Sequence, residues 1–266
     1  MEPRPENATS AILQAFHAFP IVAIGESHRN QQVHDFIVSF VNQPGFGQTV
    51  NDIVVEFGNA KYQEMVDHYI AGARITLSEL RHACRDTVNI LVWDAPVYKR
   101  FFRVVRAANL RHPERRVRVL LADPPIDWGS IERRDQWEQI AGTRDEFAAN
   151  VIEHKVLSKH HRGLLIFGSG HVTRENAFDA FGPAAGRKPN PSDWRKITRD
   201  RSCWFGFTCL AGLRVISTRA SRPGQRPRSR GSEEPGWKRP ASAHRVNRPR
   251  SVKSPTLSFI SVRHHA

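Results

Sequence analysis

Four short apolar runs, at 21–24, 53–55, 117–121 and 164–167, lead directly into polar residues: Gly25-Glu26-Ser27-His28, Glu56, Asp123 after Ala122, and Gly168-Ser169-Gly170-His171. Runs this short and, apart from Arg118, this apolar predict parallel strands buried on both faces. Helical stripes lie between them. Val33, Phe36, Ile37, Phe40 and Val41 share one helical face before Pro44-Gly45, and Tyr62, Met65, Val66, Tyr69 and Ile70 share another before Gly72, a C-terminal stop. The pattern between 77 and 112 is helical again, with Asp94 as candidate N-cap, Pro96 in the first turn and Phe101, Phe102, Val105 and Ala108 as the buried stripe. A further helix, from about Arg144 to His160, opens on Thr143-x-x-Glu146, a capping-box pattern, and is expected to bury Phe147, Val151 and Leu157. Strands alternating with helices predict an α/β fold: an open, mainly parallel sheet flanked by helices, of unspecified strand order.

Charge changes the picture only at the C-terminal end. The net charge of +14 suggests a nucleic-acid protein, but residues 1–200 hold 26 Lys and Arg against 24 Asp and Glu, while 201–266 hold 14 against 2. The chain therefore divides into an α/β domain at 1–218 and an Arg/Pro/Ser-rich tail at 219–266 with too little apolar surface to offset its ordering entropy, hence expected to be disordered. Such a tail binds nucleic acid non-specifically if at all, and no specific nucleic-acid partner is expected. It also resembles an out-of-frame product of a GC-rich gene, which would leave residues after about 202 without a selected role. Three cysteines without a two-residue spacing predict neither a zinc motif nor a required disulfide. Residues 1–6 lack a basic region leading into an apolar stretch, and no 18-residue apolar run exists, so a cytoplasmic protein without membrane partner is expected.

In an open α/β sheet the ligand crevice lies beyond the carboxyl ends of the strands, so Glu26, His28, Glu56 and His171 are expected to converge on one site. Glu26 and His28, two apart, point the same way if the backbone stays extended, which suits a base oriented by a carboxylate or two ligands of one metal. Glu56 follows an apolar strand directly, where a carboxylate needs a cation or a function. Gly168 and Gly170 permit close approach to His171; no P-loop lysine or nucleophile elbow accompanies them. His34 either faces the site or is a partly exposed helix residue. Arg144 suits a carboxylate or developing oxyanion, Asp145 the helix dipole, and Asp123 either ligation or the Pro124-Pro125 turn. His160 and His161 read as surface residues. Segments 72–89 and 124–142 are candidates for a substrate lid.

Taken together, Gly25-Glu26-Ser27-His28, His34, Val54-Val55-Glu56 and Gly168-Ser169-Gly170-His171 resemble the superfamily that joins erythromycin esterases, ChaN haem-uptake proteins and Tiki metalloproteases, over roughly residues 21–172. Arg144-Asp145-Glu146-Phe147-Ala148-Ala149-Asn150 resembles the erythromycin-esterase Arg-Asp-x-x-Met-Ala-x-Asn segment, with Phe147 in place of Met. The Glu26-x-His28 spacing and the later His34 are closer to the ChaN pattern. The esterase resemblance implies a hydrolase of an ester, lactone or related carbonyl substrate, without cofactor: His28 as general base on water, Glu26 orienting it, Glu56 positioning the water, Arg144 stabilising the oxyanion and His171 as acid or electrophile. The Tiki resemblance implies a hydrolase or peptidase with Zn, Mn or Fe on His28, Glu56 and His171. The ChaN resemblance implies haem binding, with His34 or Tyr62 as the residue of interest. In all three the partner is a small molecule or peptide, and the oligomeric state stays open.

Overall fold

The computed structural model describes residues 4–172 together with strands at 202–210, 213–220 and 260–262. In chain order the elements are β1 (Arg4–Glu6), α1 (Ala8–Ala15), β2 (Ile21–Glu26), α2 (Gln31–Val41), α3 (Phe46–Thr49), β3 (Asp52–Asn59), α4 (Gln63–Ala71), α5 (Leu77–Arg85), α6 (Pro96–Arg111), β4 (Arg118–Asp123), α7 (Arg134–Gly142), α8 (Arg144–Lys155), β5 (Gly163–Gly168), α9 (Ser169–Val172), β6 (Ser202–Leu210), β7 (Leu213–Ala220) and β8 (Ile260–Val262). The main sheet runs β4-β3-β5-β2-β6-β7. Its first five strands are mutually parallel and β7 returns antiparallel to β6, giving the open, mainly parallel α/β sheet that the apolar runs predict.

Alternate residues of each strand enter different cores, as strand geometry requires. Val22, Ile24, Ile53, Val55, Val119, Leu121, Leu164 and Ile166 face a large layer built on α2, α4, α5 and α6, with Phe57, Trp93, Tyr98, Phe101 and Phe102 in it. Ile21, Ala23, Val54, Leu120, Ala122, Leu165 and Phe167 face α8 through Ala148, Ala149, Ile152 and Val156. Both faces are covered, which is why the strands read as continuous apolar runs rather than alternating ones.

Several local expectations are corrected. Asp94 does not cap α6; Ala95 stands at the N-cap, Pro96 supplies the first turn, and Asp94 instead receives a forked ion pair from Arg81. The Thr143 capping box does not form because α7 runs almost directly into α8, and the Thr143 hydroxyl donates back to Ile140 O. The buried stripe of α8 is correspondingly Ala148, Ala149 and Ile152, with Phe147, Val151 and Leu157 only partly covered. The candidate lids contain helices: α5, opened by a Thr76–Glu79 capping box, and α7. Gly72 ends α4 as expected, at φ 116°, a conformation that disfavours any side chain.

His161 is no plain surface residue. Its Nδ1 lies 2.9 Å from Asp52, a fully buried carboxylate that Arg118 also pairs at 2.6 Å. The triad ties β3, β4 and the approach to β5 at their amino ends. The boundary expected at 218 falls within β7, and β8 pairs antiparallel with β1. The rest of the tail, with its expected disorder, lies outside the described residues. Among those residues no helix is long and apolar enough to cross a membrane.

Candidate functional site

The register of the sheet builds the site. β5 lies between β2 and β3, and Glu26 at the end of β2 stands opposite Gly168 at the end of β5. Regular pairing of β3 with β5 stops at Val55↔Ile166, and the β3–β4 register shifts between Val55 and Asn59. Irregularities of this kind re-aim side chains next to functional sites. Here Glu56 turns toward Gly168, whose backbone N–H donates to its Oε2 at 2.6 Å. The two buried carboxylates thus stand either side of β5. A Cβ at Gly168 would sit 2.9 Å from His28 Cε1 and 3.2 Å from Glu56 Oε2, so only glycine lets these groups close over the strand end.

Glu26 is 1% exposed and is held from three sides. His28 Nδ1 donates to its Oε1 at 3.0 Å, His34 Nε2 to its Oε2 at 2.5 Å, and the Tyr98 hydroxyl lies 3.4 Å from Oε1. Burial alone would raise the Glu26 pKa, but the bonds from His28 and His34 outweigh it and hold the carboxyl below its ordinary value. Conversely, the bond to Glu26 raises His28, with the charge of Glu56 adding to the effect against partial burial. The His28 side chain is 41% exposed. With Nδ1 committed to Glu26, Nε2 is the nitrogen left to meet a substrate or water.

The second half of the site is a chain of ion pairs. Arg144, at the start of α8, donates through Nη2 to Glu56 Oε1 at 2.9 Å and through Nε to Asp123 Oδ1 at 2.8 Å. His171 in α9 reaches Glu56 Oε1 through Nε2 at 3.2 Å and donates through Nδ1 to Asp145 Oδ1 at 2.9 Å. Burial would raise Glu56, yet the charge and hydrogen bond of His171, the charge of Arg144 and the Gly168 N–H hold it well below the carboxylate range. Burial pulls His171 down, but Glu56 and Asp145 together lift it to about 10, so both ring nitrogens carry protons at neutral pH. Asp123 behaves oppositely: desolvation exceeds the attraction of Arg144 and pushes it up to about 6. Trp93 joins the two halves, its ring edge-on to His28 at 5.5 Å and under the Arg144 guanidinium at 5.4 Å.

Glu26, His28, Glu56, Arg144 and His171 therefore share one rim, with Asp123 and Asp145 as partners of the two cations. Asp145 does more than complement the helix dipole, since it fixes the His171 ring. His34 is buried, 1% exposed, and turned onto Glu26; as placed it is a hydrogen-bond donor within the protein and not a ligand for haem iron. Tyr62 is half-buried, with its hydroxyl 3.3 Å from Asp86. The metal set His28, Glu56 and His171 does not fit the donor chemistry of this arrangement. Both His171 nitrogens hold protons against carboxylates, and Glu56 is already occupied by Arg144, His171 and Gly168. Among the described residues no group of three or more His, Cys, Asp or Glu side chains is arranged to hold a metal ion. Trp93 and Tyr98 were not legible as site residues: both sit in a helical or turn pattern whose apolar spacing accounts for them as core.

The His171 ion pairs carry a pH prediction. A histidine raised from about 6.5 to about 10 in the folded chain contributes stability that is complete below the unfolded value and disappears as pH climbs through about 10. The melting temperature is expected to fall between pH 7 and 10.5, and His171→Gln to be less stable than wild type at pH 7 yet flatter across that interval. Thermal denaturation followed by circular dichroism at stepped pH measures both slopes; parallel slopes would contradict the assignment.

No protein-family model and no curated protein matches the chain. Solved structures do share its architecture. The type III effector HopBA1 is 13% identical, with 64% of this chain and 77% of the effector aligned at a TM-score of 0.44. ChaN of Campylobacter jejuni, described as binding haem cofacially, is 15% identical over 77% of this chain and 87% of its own, at 0.47. The C-terminal region of Pasteurella multocida toxin, described as carrying a thiol-protease-like catalytic triad, is 9% identical over 82% of this chain and 26% of the toxin chain, at 0.50. At these identities the relationship is a distant one of fold.

Proposed function

We propose that the chain is a hydrolase of the erythromycin-esterase-like type, acting on an ester, lactone or related carbonyl compound through water activated by the Glu26–His28 pair. The observation that carries this reading is the 3.0 Å bond from His28 Nδ1 to a buried, ionised Glu26, which directs the other imidazole nitrogen at the rim beside Glu56 and Arg144. His28 Nε2 takes a proton from water as the oxygen attacks the carbonyl carbon. Glu26 balances the imidazolium that forms, and that imidazolium returns its proton to the leaving alkoxide when the C–O bond breaks. Arg144 and His171, both cationic and fixed on Glu56, supply the positive potential for charge developing on the carbonyl oxygen. Glu56 acts in this scheme as the anchor of the two cations, because most of its lone pairs already accept from Arg144, His171 and the Gly168 N–H.

The direct attack of water is supported by the condition of Ser169 and Cys84. The Ser169 hydroxyl donates to the Glu26 carbonyl at 3.1 Å, and Cys84 is buried on α5 with its thiol pushed up to about 12 by desolvation. Within residues 7–172 the one thiol, Cys84, keeps its proton at neutral pH, so a thiol mechanism like that described for the toxin has no thiolate there to run on.

A panel of aryl esters and lactones, assayed with the full chain in ¹⁸O-water with and without EDTA, tests the reading. The expected result is EDTA-insensitive turnover with one label in the carboxylate product and no acylated protein by mass spectrometry. An acyl-protein adduct, or turnover abolished by chelation and restored by a divalent metal, would overturn the water-only mechanism; no turnover of any ester or lactone would overturn the hydrolase assignment.

A further inference from the structure

The least expected feature of the rim is what lies behind it. Glu26 is gripped on its far side by His34, four residues into a helix whose start is fixed by Asn30: the Asn30 side chain accepts from the backbone N–H of Gln32 and Val33. That cap and the packing of the His34 ring against Tyr98 at 4.7 Å and Phe57 at 6.0 Å leave the imidazole one orientation. In it Nε2 meets Glu26 Oε2 at 2.5 Å, while Nδ1 is buried with no hydrogen-bond partner. A bare lone pair at that position is tolerable. A buried N–H there would cost about 1–3 kcal/mol, more if the ring were charged. The arrangement therefore selects, for the neutral ring, the tautomer with its proton on Nε2, aimed at the carboxylate.

We propose that His34 is a positioning residue: as the neutral Nε2–H tautomer it anchors one oxygen of Glu26, so that the other is presented to His28 Nδ1 and the carboxylate's charge is left for the imidazolium that His28 becomes. Tyr98 completes the clamp. Its hydroxyl sits near Oε1 and also accepts from the Arg29 backbone N–H, one residue beyond His28, so one side chain fixes both the carboxylate and the backbone that carries the base. The Arg29 side chain in turn donates to the carbonyls of Val92 at 2.8 Å and Leu91 at 2.6 Å, next to Trp93. Of Glu26, His28, His34 and Tyr98, His28 is the exposed member, and the three that orient it are buried.

This inference has one arm independent of the hydrolase reading and one arm that rests on it. In the first, ¹⁵N NMR of histidine-labelled full chain, recorded where the ring shifts no longer change with added base, is expected to show His34 as the Nε2–H tautomer and His28 as the Nδ1–H tautomer. Glutamine places its amide nitrogen where Nε2 lies and asparagine places it where Nδ1 lies, so His34→Gln is expected to preserve the His28 tautomer and His34→Asn to lose it. A residue that merely filled space would treat the two amides alike. In the second arm, kcat for ester hydrolysis falls on the order of 10–100-fold in His34→Asn with KM little changed, and recovers in His34→Gln. An Nδ1–H tautomer at His34 in the wild type, or an unchanged His28 tautomer in folded His34→Asn, would overturn the proposal. Because the wild-type spectrum alone can do so, the test survives variants that fail to fold and a protein that hydrolyses no ester.

Discussion

His28→Ala lowers kcat/KM for ester hydrolysis by about 10²–10⁴-fold, the range a positioned general base supplies, and leaves the melting temperature close to wild type. The two halves of this expectation come from the same geometry. His28 is the one substantially exposed side chain among the five predicted catalytic residues, so its removal opens no cavity in the core. Glu26 loses one hydrogen bond and keeps those from His34 and Tyr98, so no unpaired buried charge is created. Added imidazole, able to occupy the space left by the ring, should restore part of the rate. Stopped assays over a range of imidazole concentrations, with circular dichroism melts in parallel, measure both effects. Undiminished turnover in the variant would remove His28 from the mechanism.

Arg144→Met gives the opposite phenotype, a loss of stability of about 3–5 kcal/mol, the usual consequence of breaking a buried ion pair from one side. Arg144 satisfies two buried carboxylates from different strands, Glu56 on β3 and Asp123 on β4, and joins both to α8. Methionine matches the side chain in bulk but leaves Asp123 without its cation and Glu56 with His171 alone. For a domain of this size the melting temperature should fall by roughly 10 °C. Replacing the acids as well, in Arg144→Met with Glu56→Gln and Asp123→Asn, should recover a large part of the loss, because the penalty lies in stranded charge and not in missing volume. Urea denaturation of the single and triple variants decides this; a triple variant no more stable than the single would show that Arg144 acts mainly through packing.

The strands were legible because burial on both faces removes polar residues from their interiors. Their last residues were legible because a buried acid or imidazole after such a run has few structural uses. Glu26, Glu56 and His171 belong to that class, and the observed strands run into the polar ends of these segments: β2 to Glu26 and β5 to Gly168. His34 was ambiguous, since a histidine in the first turns of a helix serves equally well facing water; only the rotation of α2, set by its packing against the sheet and α6, decides. Trp93 and Tyr98 could not be separated from core aromatics by spacing, because they are core aromatics whose rims also touch the site. Asp94 and Thr143 misled for one reason. Both have the right residue type for a cap, but a forked arginine claimed the first and the continuity of α7 with α8 left the second no free N-terminus to cap.

The position of β5 between β2 and β3 also sets a timetable for biosynthesis. Ile21 pairs with Gly163, and Asp52 pairs with the same residue from the other side, so neither carboxylate strand acquires its central neighbour until the chain has been translated past 168. Until then Glu26 and Glu56 hang from strands with an open seam between them, and long-range parallel pairings of this kind form slowly. A nascent chain arrested short of that point has every acid of the pocket and no pocket, and it offers two apolar strand edges to whatever meets it first.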